Sequence, residues 1–151
     1  MHISAKADYA VRAALHLASV SEGPTKGEAI AGAQDIPAKF LEAILTSLRQ
    51  AGLVRSQRGA NGGYWLARPA DAISVADVIR AVDGPLASVR GRGPEDVSYP
   101  GATAALQKVW IAVRTNLRDV LEHVSLADLA TGSLPPHVQR LASDSESWHT
   151  R

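Results

Sequence analysis

Residues 36–68 read IPAKFLEAILTSLRQAGLVRSQRGANGGYWLAR, and this stretch constrains the fold more than any other part of the chain. Phe40, Leu41, Ile44, Leu45 and Leu48 share one face of a helix expected over 37–51. Gly52 stands where a left-handed residue stops a helix. Two short strands are predicted at 53–57 and 64–68, with Gly59, Gly62 and Gly63 allowing a tight turn between them. Upstream, Thr25 offers an N-cap with Glu28 three residues on, a capping box for a short helix to about 33. Gln34-Asp35 turns the chain, and Asp35 is the expected cap of the next helix, with Pro37 in its first turn. Helix, tight turn, helix and glycine-rich hairpin make a winged helix-turn-helix, mainly α with a small β wing.

The remaining segments surround that unit. A first helix is expected over 4–20, where Ala7, Ala10, Val11, Ala14 and Ala18 repeat at helical spacing and Glu22-Gly23-Pro24 makes the stop. Ser74 and Asp77 form a second capping box, opening a helix to about 82 that Asp83-Gly84-Pro85 ends. Residues 87–101 read as a loop. A long helix is predicted over 102–123, roughly 33 Å in length. On it Leu106, Trp110, Val113, Leu117, Val120 and Val124 recur as a heptad seam of the kind one helix shows a partner. Ser125 and Asp128 begin a short last helix that Gly132 ends, and Pro135-Pro136 and the SDSES run predict a flexible tail over 133–151. The expected organisation is a DNA-binding domain at 1–86, a loop at 87–101, a dimerisation helix and short terminal helix at 102–132, and the tail.

Composition removes several functional classes. Cysteine is absent, which excludes disulfides, thiol sensing and thiolate-ligated iron–sulfur clusters. No apolar run approaches the roughly 18 residues of a membrane span, and Asp8 and Arg12 break any secretory signal near the start, so a cytoplasmic location is expected. The formal net charge is only +1, yet residues 1–68 hold 8 Lys/Arg against 5 Asp/Glu and residues 69–151 hold 8 against 10. The basic excess lies with the winged helix, where phosphates would need it.

Helix 37–51 presents short or cationic side chains at its N-terminal end, so its backbone can approach base edges. The Gly-rich turn is no phosphate-binding P-loop, because that motif ends in Gly-Lys-Ser/Thr and opens a helix, whereas these glycines lead into a strand. Arg58 on the narrow tip suits a minor groove, with Asn61 adding polar contacts. Lys6, Lys26 and Thr46 are candidate phosphate contacts, giving affinity without sequence preference. The five histidines, His2, His16, His123, His137 and His149, form no pair at metal-ligand spacing, so no metal site is expected. No side-chain constellation points to catalysis. The seam around Trp110 could belong to the chain's own core, but a long helix beyond a loop more often pairs with a second copy, which would give a DNA reader its two-fold symmetry.

Taken in order, Tyr9-Ala-Val-Arg12, Ile36-Pro-x-x-Phe-Leu41, Leu48-Arg-x-Ala-Gly-Leu-Val54, Arg58-Gly-x-x-Gly-Gly-Tyr64-x-Leu66, Val75-x-Asp-Val-Ile79 with Asp83-Gly84, Trp110 and Ser125-Leu-Ala-Asp-Leu129 resemble the bacterial Rrf-two family of regulators, the group of IscR, NsrR and CymR. The resemblance implies a homodimeric transcription factor, usually a repressor, with the long helix at the dimer interface and double-stranded DNA as partner. It carries DNA contacts to Pro37, Ala38, Lys39 and Glu42 in the recognition helix and to Arg58, Gly59, Ala60 and Asn61 in the wing, with Ser4 and Lys6 as further phosphate candidates. Many members hold an iron–sulfur cluster on three cysteines before the long helix. Here residues 88–103 contain none, which implies a cysteine-free branch whose signal would be a small molecule, a partner protein or nothing. Trp110, His123 and the loop 89–100 lie where such an effector would act. The rival reading is a winged helix repurposed as a protein-interaction module. Single-stranded RNA binding lacks an aromatic platform, Trp65 being the one candidate.

Overall fold

The computed structural model describes residues 2–20 and 23–150. Seven α-helices and one two-stranded sheet are found among them: α1 Ala5–Ser19, α2 Gly27–Gln34, α3 Ala38–Gln50, β1 Val54–Gln57, β2 Gly63–Leu66, α4 Val75–Asp83, α5 Leu106–Leu121, α6 Leu126–Thr131 and α7 Pro136–Ser143. No described helix is long and apolar enough to cross a membrane. The expected stop of α1 falls partly on Glu22, which lies outside the described residues.

Small residues on α1 let the other helices close around it. Ala7, Ala10, Ala13, Ala14 and Leu17 are buried. Ile30 of α2, Leu41, Ile44, Leu45 and Leu48 of α3, Val54 of β1, Ile73 and Val78 complete the same core. Phe40, expected on the apolar face of α3, is instead 58% exposed and meets Tyr9 edge-on. Arg12 donates to the Gln34 carbonyl at 2.8 Å, which satisfies an orphan acceptor at the end of α2.

Two caps fall differently from the sequence expectation. Thr25 caps nothing: its N–H donates to the Tyr64 carbonyl and its carbonyl accepts from Tyr64 N–H, at 2.9 and 2.8 Å. Both backbone groups are used by this bridge to the wing, so α2 begins after Lys26, which makes no side-chain cap. Asp35 closes α2 in the left-handed region (φ 50°, ψ 52°), with its N–H on the Ala31 carbonyl, and does not open α3. Asp tolerates that conformation better than most residues. Pro37 takes the N-cap of α3 without a side-chain bond.

The boxes at Ser74/Asp77 and Ser125/Asp128 both form reciprocally, with bonds of 2.8–3.1 Å. They face each other, because Val75 N–H donates to the Val124 carbonyl and Leu126 N–H to the Ile73 carbonyl, each at 2.9 Å. This bridge returns the chain to the DNA-binding unit and buries Leu126 in its core. The winged-helix core is therefore not closed by residues 1–86 alone.

α5 is shorter than predicted. A 3-10 turn at Gly101–Thr103 precedes it, and its 16 residues span about 24 Å. The expected flexible tail also needs correction, since Pro136 at the first helical position opens α7 and a 3-10 turn follows at Ser145–Trp148.

Candidate nucleic-acid interface

The antiparallel wing pairs Val54 with Leu66 and Gln57 with Gly63, leaving Arg58, Gly59, Ala60 and Asn61 as its exposed tip. Its sharp reversal depends on the two central glycines. A Cβ on Gly62 would lie 2.1 Å from the Gln57 carbonyl oxygen. One on Gly63, at φ +149°, would lie 2.6 Å from the Thr25 carbonyl. The Gly-Gly pair thus lets the hairpin fold back on itself and lie against the residue before α2.

Side chains then fix the wing to the helix-turn-helix. Lys26 Nζ donates to the Gly59 carbonyl at 2.7 Å, tying the start of α2 to the tip. Arg49 on α3 reaches Ser56 Oγ on β1 at 3.4 Å. Between them lies a groove of 440 Å³, lined among others by Lys26, Glu42, Thr46, Arg49, Ser56 and Arg58. Three cations face one carboxylate there. Lys39 and Arg55 are exposed on α3 and β1.

The recognition candidates occupy the exposed side of α3. Pro37, Ala38, Lys39 and Glu42 are all exposed. No side chain caps α3, or α2 at Lys26, although in α2 the Ala29 N–H already donates to the Lys26 carbonyl at 3.0 Å. Thr46 is exposed but spends its hydroxyl proton on the Glu42 carbonyl at 2.9 Å, leaving acceptor capacity only. Arg49 and Arg55 were missed by sequence reading, because nothing in the spacing says which flank of α3 the wing will cover.

Ser4 and Lys6 are not brought to this groove. Ser4 Oγ accepts from Ala7 N–H and donates to the Asp83 carboxylate. Lys6 Nζ donates to the Val82 carbonyl at 2.9 Å. Both fasten α1 to the end of α4.

The heptad residues of α5 face largely toward their own chain. Leu106, Trp110, Val113, Leu117 and Val120 are half-buried and Val124 is buried. The Trp110 indole N–H donates to the Tyr99 hydroxyl at 3.0 Å. Arg114 pairs with Glu95 and Arg80 with Glu122, holding α5 to the preceding loop and to α4. Outside the seam, Val109 is 50% exposed with Ala105 and Ala112 on its face of the helix, and Ile111, 37% exposed, lies on another side. A cleft of 740 Å³ between the start of α1, α4 and α5 is lined by Ile3, Ala7, Ile79, Leu86, Leu117 and Leu121 among others.

A helix-turn-helix flanked by a wing pinned in place and carrying arginine defines a winged-helix protein of the DNA-binding class. Comparison with known proteins makes the relationship specific. The family model "Rrf2: Iron-dependent Transcriptional regulator" matches residues 3–132. Rv1287 of Mycobacterium tuberculosis, which carries the name of an HTH-type transcriptional regulator, is 55% identical over 145 residues, covering 95% of this chain and 90% of its own. The HTH-type transcriptional regulator CymR of Bacillus subtilis is 37% identical over 132 residues, covering 87% and 91%. The solved structure of that CymR, the global cysteine regulator of its organism, superposes with a TM-score of 0.73 at 36% identity over 87% of this chain and 98% of that one. T. potens IscR gives 0.69 at 31% identity over 100% and 93%. The chain belongs to the Rrf2 family and is a DNA-binding regulator of transcription.

The family description invokes iron, and the donor set here does not fit an iron–sulfur cluster. Such clusters are held chiefly by thiolates, the chain has no cysteine, and Glu95 in the loop before α5 is engaged by Arg114.

Proposed function

We propose that the protein is a homodimeric, cluster-independent repressor that binds a two-fold symmetric DNA operator in the cytoplasm. The observation that carries this reading is the groove where Glu42, Thr46 and Arg49 of α3 lie beside Arg58 of the wing, joined through the Lys26 and Arg49 bonds. In it, α3 enters the major groove with Ala38, Lys39 and Glu42 near base edges, and Pro37 lets the helix start close to the DNA. Arg58, Gly59, Ala60 and Asn61 follow into the adjacent minor groove. Lys26 and Arg49 hold phosphates and set the register. Ser4 and Lys6 serve the fold.

Dimerisation uses α5. Its exposed Val109 and Ala112, together with the exposed parts of the Leu106, Trp110, Val113, Leu117 and Val120 seam, are the apolar surface available to a second copy. A dimer places two recognition helices on successive half-sites and so reads a palindrome. Repression follows from occupying promoter DNA, and a small molecule or a protein supplies the signal.

The test is selection of genomic DNA fragments by the purified chain at near-physiological salt, followed by transcription from an enriched promoter. A short symmetric motif with reduced transcript supports the reading. Asymmetric enrichment refutes the dimeric operator. No enrichment, with recovery of a stoichiometric protein partner, replaces the reading with a protein-interaction module.

A further inference from the structure

The end of α5 and the first turn of α7 bring together three side chains that the DNA-reading surface does not use. Asp119 lies in the last turn of α5, and His123 follows four residues later, just past the Glu122 C-cap. His137 comes from α7, beyond the intervening α6. His123 Nδ1 and His137 Nε2 converge on the same atom, the Asp119 carbonyl oxygen, at 2.8 and 2.9 Å. The two rings meet edge to face with centroids 5.7 Å apart. The Asp119 carboxylate is 4.0 Å from His123 Nδ1. One candidate ligand atom from each residue lies within 4.8 Å of the other two.

We propose that Asp119, His123 and His137 bind one divalent transition-metal ion of the zinc class, which fastens α7 to the end of α5. Two imidazole nitrogens and one carboxylate oxygen form a borderline donor set, which suits zinc-like ions, whereas magnesium and calcium take oxygen ligands. The negative end of the α5 dipole and the Asp119 carbonyl favour a cation at the same place. Tetrahedral bonds of about 2.0–2.2 Å set ligand atoms roughly 3.3–3.6 Å apart. The cluster closes to that size when the two imidazole nitrogens give up the Asp119 carbonyl, and the Asp119 and His123 side chains, 62% and 60% exposed, have room to rotate. Three protein ligands leave a fourth position for water. The competing account is that the two imidazoles donate N–H bonds and cap the helix end.

The discriminating experiment titrates the full chain, with any purification tag removed, with zinc chloride by calorimetry. Hydrogen exchange is followed over residues 136–143. The expected result is one ion per chain with micromolar affinity and slowed exchange in α7. His123→Ala and His137→Ala each weaken binding by about tenfold or more, and His137→Ala also removes the zinc effect on α7. His149→Ala leaves both readings unchanged. No saturable binding at about 100 µM zinc, or binding that survives both substitutions, overturns the site and leaves the histidines as helix caps.

Discussion

Gly63 matters for what it lacks. Its Cβ position is occupied by the Thr25 backbone, whose two hydrogen bonds to Tyr64 seat the wing against α2. Gly63→Ala costs about 1–3 kcal/mol for the backbone conformation alone. Because the clash breaks the bridge as well, we expect a lower denaturation midpoint together with weaker operator binding. A variant that melts early and still binds DNA normally would separate wing position from recognition. Arg58 has the opposite character, since its loss leaves the fold intact. Arg58→Ala is expected to weaken specific binding by about 1–3 kcal/mol, while Lys39→Ala relaxes the preference among operator variants. Competition binding at fixed salt distinguishes them: if Lys39→Ala weakens all sequences equally, that side chain contacts phosphate. At this scale the sequence is legible where chemistry is local, as in the Gly-Gly tip. It is mute where a side chain's partner lies far along the chain. Nothing near Lys26 announces the Gly59 carbonyl 33 residues later, and the Asp119–His123 spacing acquires meaning only when α7 delivers His137.

Among the elements, the self-contained signals were readable in advance. Both Ser-x-x-Asp boxes form as their sequences predict, because donor and acceptor lie within one turn. Thr25 and Asp35 look like equally good caps, but tertiary pairing with Tyr64 and a left-handed exit from α2 claim them first. The ion pairs between elements are invisible in sequence and have a pH signature. The Arg80 hydrogen bond, reinforced by the charges of Arg80 and Arg118, holds the Glu122 carboxyl below its ordinary 4.5. Glu95 is lowered by its own backbone N–H and then by Arg114. A carboxyl with a depressed folded-state pKa stabilises the fold above its unfolded value, and that contribution vanishes as pH falls through the folded value. The contribution of both pairs to the melting temperature should therefore be full and constant between neutral pH and about 5, then fall away below that. Glu122→Gln should melt lower at neutral pH and show a shallower acid limb; parallel curves for the two proteins would mean that the Arg80 pair contributes nothing.

For the molecule as a whole, a net charge of +1 conceals a cationic groove on one side. The seam read from sequence is half-buried against its own chain, because a period-seven pattern cannot say which flank the chain covers with its own loop. Val109 and Ile111 lie off that pattern and remain exposed. Replacing Val109, which borders the seam, with Asp should shift the protein toward monomer in sedimentation and abolish binding to a two-half-site operator, with the melting curve of the single chain little changed. A dimer that persists would move the interface elsewhere. Leu126 offers a different test of integration. It lies outside the first 86 residues yet is fully buried among α1, α3 and α4 residues. Leu126→Ala should cost about 2–5 kcal/mol and unfold the reading head along with the C-terminal part in one transition; two separate transitions would show independent units.

That placement of Leu126 also has a temporal meaning. A ribosome makes the recognition helix early, but the side chain that closes the hydrophobic centre beneath it arrives only after α5 has been synthesised. The antiparallel bridge between Ser74 and Ser125 must wait equally long. Chains that stop before α6 therefore lack both Leu126 and the Ser125 half of the bridge that complete this core.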